Sequence, residues 1–139
     1  MAEIHTRALF RLSFELHPAL ELGSTPAGER RVIPVSGGKF EGERLCGTIE
    51  QVGGSDLLLR RTDGAFQQDV RAILRTDDDA LILMTYRGVR HGSDREYYLR
   101  TAPFFETSSP KYAWLNTIVA VAIGERRPSG VTYDVFEVL

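Results

Sequence analysis

Residues Leu9-Phe10-Arg11-Leu12-Ser13-Phe14-Glu15-Leu16 decide the fold class. Successive side chains of a strand point to opposite faces, so Phe10, Leu12, Phe14 and Leu16 share one side, with Arg11, Ser13 and Glu15 on the other. This is the pattern of a half-buried strand, apolar inward and polar outward. The run that follows, with Pro18, Gly23, Pro26, Gly28 and Pro34, is too broken for any helix. Further strands are predicted over 44–51, 56–61, 67–76, 80–86, 96–101, 112–123 and 131–138. Strong turn signals separate them: Gly37-Gly38, Gly53-Gly54, Asp63-Gly64, Asp77-Asp78-Asp79, Gly88 with His91-Gly92, Pro103, Pro110, and Pro128 with Gly130. Eight or more short strands punctuated about every ten residues predict an all-β antiparallel barrel or sandwich with at most one short helix.

A chain of 139 residues is one domain's worth, and 1–139 is read as a single domain. Hydrophobic residues at 42% and charged residues at 26% are globular averages, which exclude disorder, collagen and coiled coil. Seventeen basic against nineteen acidic residues leave a net charge of −2, so no broad basic field exists for nucleic acid or an anionic membrane. The lone Cys46 forms no intramolecular disulfide. The first residues carry charge where a signal peptide needs an apolar run, and no apolar stretch reaches the ~20 residues of a membrane helix. A cytoplasmic protein is expected.

Several familiar chemistries fail on inspection. Gly23-Ser24-Thr25-Pro26-Ala27-Gly28 has the glycine spacing of a phosphate loop but is followed by Glu29-Arg30, and Pro34 forbids the helix that would hold phosphate. The Asp77–Asp79 run lacks the glycine and terminal glutamate of an EF-hand and reads as a hairpin turn. His5, His17 and His91 are scattered, so no metal is expected, and nothing else calls for a cofactor. No Gly-x-Ser-x-Gly elbow is present.

Two segments depart from simple alternation. Asp69, Arg71 and Arg75 share a face with Ile73, opposite Val70, Ala72 and Leu74. The predicted strand 112–123 is apolar on both faces, which requires a cover on both: a loop or helix, or another subunit. A homodimer is expected on that ground.

The ordered set Gly23–Arg31, Gly37-Gly38-Lys39-Phe40-Glu41-Gly42, Leu45-Cys46-Gly47, Gly53-Gly54-Ser55-Asp56, Asp69-Val70-Arg71, Thr76–Ala80, Tyr86-Arg87-Gly88, Tyr98–Thr107 and Tyr112–Asn116 resembles the domain-of-unknown-function 3237 family across about 9–139. The resemblance implies an antiparallel β-barrel of lipocalin-like character with a cavity, often in a dimer, and brings no settled reaction. Leu57 stands where the family usually has an aromatic, which bears on the pocket wall. Asp79 stands where it usually has glycine, which bears on a turn.

The resemblance favours Asp69 and Arg71 as lumen-facing residues. A desolvated Arg71 would fork onto a carboxylate or enolate oxygen, with Asp69 as base or as its orienting partner. Asp56, after two glycines, is either a turn cap or a buried carboxyl suited to proton transfer. Tyr98 and Arg100 share a face at a strand end and are candidate ligand contacts. Trp114 offers a flat wall, and Asn116 an amide that needs a partner if buried. Arg30 and Arg31 read as solvated loop charge. Three functions fit these residues: a noncovalent isomerase, cyclase, hydratase or lyase acting on a small oxygenated compound; a binding or carrier module for a small hydrophobic acid; and a structural or subunit-interaction protein.

Overall fold

Alternation along Thr6–Leu16 gives the first strand of a closed sheet. The computed structural model describes all of residues 1–139. Its strands are β1 (Thr6–Leu16), β2 (Leu20–Thr25), β3 (Gly28–Glu41), β4 (Cys46–Ile49), β5 (Ser55–Arg60), β6 (Phe66–Thr76), β7 (Leu81–His91), β8 (Tyr98–Glu106), β9 (Val119–Arg127) and β10 (Gly130–Val138). β2 continues the course of β1 along β3, and β5 continues that of β4 between β3 and β6. The ten segments therefore occupy the eight positions of a closed antiparallel barrel. Each position pairs with its neighbours in sequence, and β1 closes the ring by pairing with β10 on one edge and β3 on the other.

The Gly- and Pro-rich run after Pro18 is not irregular as its punctuation suggests: it holds β2 and the 14-residue β3. Its glycines serve close approach. A Cβ on Gly38 would sit 2.0 Å from the Ser13 carbonyl oxygen of β1 and 2.9 Å from Ile49 Cδ1, so only glycine lets β3 close on β1 there. Pro34 is the last β3 residue to pair with β5.

The predicted strand 112–123 is also corrected. Pro110–Thr117 forms a 3-10 helix, and only Val119 onward is strand. Pro110 opens the helix, and Tyr112 and Leu115, three residues apart, fall on one side at three residues per turn and are both buried. The helix plugs one barrel end. Beneath it Phe10 packs on Phe40 and Phe105 at ring separations of 5.5 and 5.9 Å. Tyr112 Oη donates to Asp78 Oδ1 at 2.8 Å, and the Asn116 amide clamps both backbone groups of Thr107. Buried Glu137 accepts from Arg7 and Arg44, which hold its carboxyl below the usual range, and Arg44 lies 4.2 Å from the Trp114 ring centroid. No helix of the structure is long and apolar enough to cross a membrane.

The substitution Gly38→Val is expected to destabilise the barrel by more than about 3 kcal/mol, because a backbone carbonyl cannot yield as a flexible side chain can. Urea-denaturation midpoints against wild type measure this.

Candidate functional site

With one end plugged, the lumen opens at the other. A cavity of about 470 Å³ lies there, floored and walled by Phe14, Val35, Leu58, Val70 and Leu99. Its polar lining includes Asp56 from β5, Gln68 from β6, Tyr86 and Arg90 from β7, Tyr97 from the segment before β8, Tyr133 from β10, and exposed His17 from the β1–β2 connection at the mouth. The β9–β10 turn, Arg126 to Gly130, forms part of the rim.

Period-two alternation explains each placement. On β6 the apolar residues Val70, Ala72 and Leu74 point inward, and Gln68 lies two residues earlier on the same face. On β7, Ile82, Met84 and Tyr86 do the same, and Arg90 follows in phase. Asp56 pairs with Val70 across β5–β6, and Val70 with Tyr86 across β6–β7, so all three lie in one row of the wall.

Burial pushes the Asp56 carboxyl up to about 6, against the pull of the Asp69 backbone N–H, which donates to Asp56 Oδ1 at 3.1 Å, and of the Arg90 charge. Tyr86 and Tyr133 pack edge to face at 5.4 Å, and burial raises both phenols, leaving them neutral hydrogen-bonding groups. Gln68 is buried, and its Oε1 has no hydrogen-bond partner in the protein. Arg90 is half-buried, with its guanidinium 4.2 Å from the Phe66 ring centroid.

Of the residues singled out by sequence, Asp56 alone enters this lumen. Asp69 and Arg71 do not face it: Val70 and Ala72 hold the inward phase, so both charged side chains point outward and Arg71 is exposed. Asp69 reaches the site through its backbone N–H and, at longer range, through its charge, which adds to the rise of the Asp56 carboxyl. Tyr98 and Arg100 are likewise outward, with Arg100 4.6 Å from the Tyr98 ring centroid, while their neighbours Tyr97 and Leu99 face inward. Trp114 and Asn116 sit on the 3-10 helix at the plugged end, and the partner Asn116 requires is the Thr107 backbone rather than a ligand. Leu57 lies out of phase with Asp56 and Leu58, so its departure from the family's aromatic leaves the lumen wall untouched. Asp79 adopts φ 71° in the β6–β7 turn, a conformation glycine takes freely. Arg30 donates to the Leu57 carbonyl oxygen at 2.8 Å, and Arg31 pairs with Glu21 at 3.2 Å.

Sequence reading missed Gln68, Tyr86, Arg90, Tyr97 and Tyr133. Gln68 was within reach, as a polar residue in phase with an apolar face. Arg90 was hidden because Gly88 reads as a turn, whereas β7 runs through it. A Cβ at Gly88 would meet Thr101 Cγ2 at 2.5 Å and the Arg100 carbonyl oxygen at 2.8 Å.

The fold and cavity define a class: an eight-stranded barrel with one end sealed and a small-molecule-sized, partly polar lumen at the other. The family described as "Protein of unknown function (DUF3237)" matches residues 4–138, and the chain belongs to it. Among its relatives, a β-barrel-like protein of Acinetobacter baumannii, known as a crystal structure, is 38% identical, with a TM-score of 0.93 over 100% of this chain and 98% of that one. The UPF0311 protein RPA1785 of Rhodopseudomonas palustris is 27% identical over 98% of this chain and 97% of its own length. The hydroalkoxylation enzyme phnH of Penicillium herquei is 30% identical over 112 residues, 81% of this chain and 68% of that protein.

The raised Asp56 pKa carries a stability consequence. The fold binds this proton more tightly than the unfolded chain does, so the contribution is whole below about pH 4 and is lost as pH rises through about 6. Asp56→Asn is expected to be more stable than wild type by about 1–3 kcal/mol at pH 7.5, with the difference vanishing below about pH 4. Urea midpoints across pH check this.

Proposed function

We propose that the open lumen binds a small oxygenated organic compound and catalyses noncovalent proton-transfer chemistry on it, an isomerisation or cyclisation type of reaction. The carrying observation is Asp56, a carboxyl that titrates near 6 on the wall of a mostly apolar cavity, a value matched to taking and returning a proton near neutrality. The name of the Penicillium herquei relative supports the class, since hydroalkoxylation adds an O–H across a C=C bond. Such a step balances without a co-reactant. The hydroxyl proton passes to the base, the oxygen pair forms a C–O bond to one alkene carbon, and the π pair takes a proton at the other. Asp56 is the base and proton carrier in this reading. Arg90 and the neutral Tyr86 and Tyr133 hydroxyls stabilise charge developing on oxygen.

The second reading is a carrier for a small hydrophobic acid, favoured by the apolar walls and the lumen-facing arginine. Turnover separates the two. With an alkenylated phenol supplied, conversion to the cyclic ether by wild type, reduced about 100-fold or more in Asp56→Asn with binding kept, supports the enzyme. Saturable binding without conversion across a panel of hydroxyalkenes leaves the carrier. Asp69→Asn and Arg71→Ala, outside the lumen, are expected to keep turnover within about twofold.

We also propose self-association through the outer face of β8–β9, where Phe104, Val119, Val121 and Ile123 are exposed side by side. Val121→Asp is expected to convert a dimer to a monomer in sedimentation equilibrium. A monomeric wild type at micromolar concentration removes the idea.

A further inference from the structure

The charges of the lumen are not all paired by contact. Three arginines line it or its mouth: Arg90, Arg126 and Arg127. The two at the rim have carboxylate partners of their own, Arg126 with Asp94 at 3.6 Å and Arg127 with Glu125 at 2.8 Å. Arg90 has none within 4 Å, although it is half-buried, where an arginine ordinarily finds a counter-ion. Asp56 is the only acidic side chain lining the cavity, and it forms no ion pair with Arg90. Stacking on Phe66 fixes the plane of the guanidinium without supplying negative charge. A second unpartnered group lies two residues from Phe66 on the same strand: buried Gln68, a lumen residue whose Oε1 has no hydrogen-bond partner in the protein. A lumen that holds an unpaired cation and an unpartnered amide oxygen is built for a ligand that brings both negative charge and polar atoms.

We infer that Arg90 is the anchor for an anionic oxygen of the ligand, so that the lumen takes small organic anions with an apolar ring body, as carboxylates or phenolates. The inference rests on the lumen being the binding site, and it specifies the ligand class independently of any turnover. Arg90 presents a planar fork of N–H donors, which suits two oxygens or one oxygen shared between donors. The walls of Phe14, Val35, Val70 and Leu99 receive the ring.

The test uses two neutral-or-charged isosteres, 2-naphthoate and 2-naphthylmethanol, titrated calorimetrically against the full-length protein at pH 7.5. Wild type is expected to prefer the carboxylate by at least about tenfold, with a preference that weakens as salt rises. Arg90→Met, which keeps the stem packed on Phe66, is expected to abolish that preference while leaving 2-naphthylmethanol within twofold. Arg90→Lys is expected to restore only part of it, since an ammonium lacks the fork. The double variant Arg126→Gln/Arg127→Gln is expected to keep the preference. Equal affinities for the two probes in wild type overturn the inference and leave the lumen as a site for neutral compounds. A preference that survives Arg90→Met but is lost in the rim double variant also overturns it. If neither probe is displaced from the lumen by Val70→Trp, the lumen reading itself fails. If 2-naphthoate binds through Arg90 but no hydroxyalkene is turned over, the inference stands and the catalytic reading fails. Circular dichroism of each variant separates these outcomes from misfolding.

Discussion

β1 is hydrogen-bonded along both edges, to β10 through Thr6–Glu15 and to β3 through Arg11–Leu16, and this double pairing turns a twisted sheet into a barrel. Closure removes the exposed edges that an open sheet must protect, and it creates an interior that side chains alone must fill. The fit on the β3 side is tight enough to demand Gly38 against the Ser13 carbonyl. The inward phase of every other strand follows from that ring. A one-residue slip would carry Leu12 and Phe14 to solvent and Arg11 and Ser13 to the lumen, so the register is fixed by the cost of that exchange.

The interior is then divided along its axis. At the plugged end, three phenylalanines and the buried side of the 3-10 helix fill the space, and carboxylates meet several partners each: Glu137 with Arg7 and Arg44, Asp78 with Lys111, Thr76 and Tyr112. These contacts hold the Asp78 carboxyl well below its ordinary range. At the open end the polar groups are left incompletely satisfied: Asp56 is desolvated, Gln68 Oε1 has no partner, and Arg90 has no carboxylate. The same chain thus satisfies its polar groups where it seals and leaves them unsatisfied where it opens.

The barrel was legible because clean alternation in Leu9–Leu16 and dense turn signals each have one simple physical reading. Strand phase on β6 was legible too, since Val70, Ala72 and Leu74 mark the inner face. Of the sequence candidates, only Asp56 lies on the lumen wall. Motif resemblance drew attention to Asp69-Val70-Arg71, but sequence order does not say which of two alternating faces is the lumen, and the apolar set overrules the charged one. Tyr98 and Arg100 fall outside the lumen for the same reason, one residue out of phase with Tyr97 and Leu99. Trp114 and Asn116 were misplaced on a strand because an apolar run after Pro110 fits a buried strand and a short 3-10 helix equally well, and periodicity over so few residues does not separate them. Arg90 was lost to Gly88, whose smallness answers crowding by Thr101 rather than a turn.

Asp56 and Arg90 constrain one another as a site. Were Asp56 ionised and in contact with Arg90, the pair would neutralise itself, and the lumen would offer neither a proton acceptor near neutrality nor a free cation. They stand apart by more than ion-pair distance, yet near enough that the Arg90 charge restrains the rise of the Asp56 pKa. Without that restraint, burial would leave less of Asp56 ionised near neutrality, so less of the base would be available in the empty lumen. With a closer Arg90 it would fall toward an ordinary carboxylate and lose its capacity to return a proton. An anionic oxygen on Arg90, as proposed, would shift this balance in a definite direction: it would offset one of the charges that restrain Asp56, so the carboxyl would gain affinity for a proton while the ligand is bound. On the proposed reading, ligand binding and proton affinity would be coupled through the Arg90 guanidinium with no movement of the barrel wall.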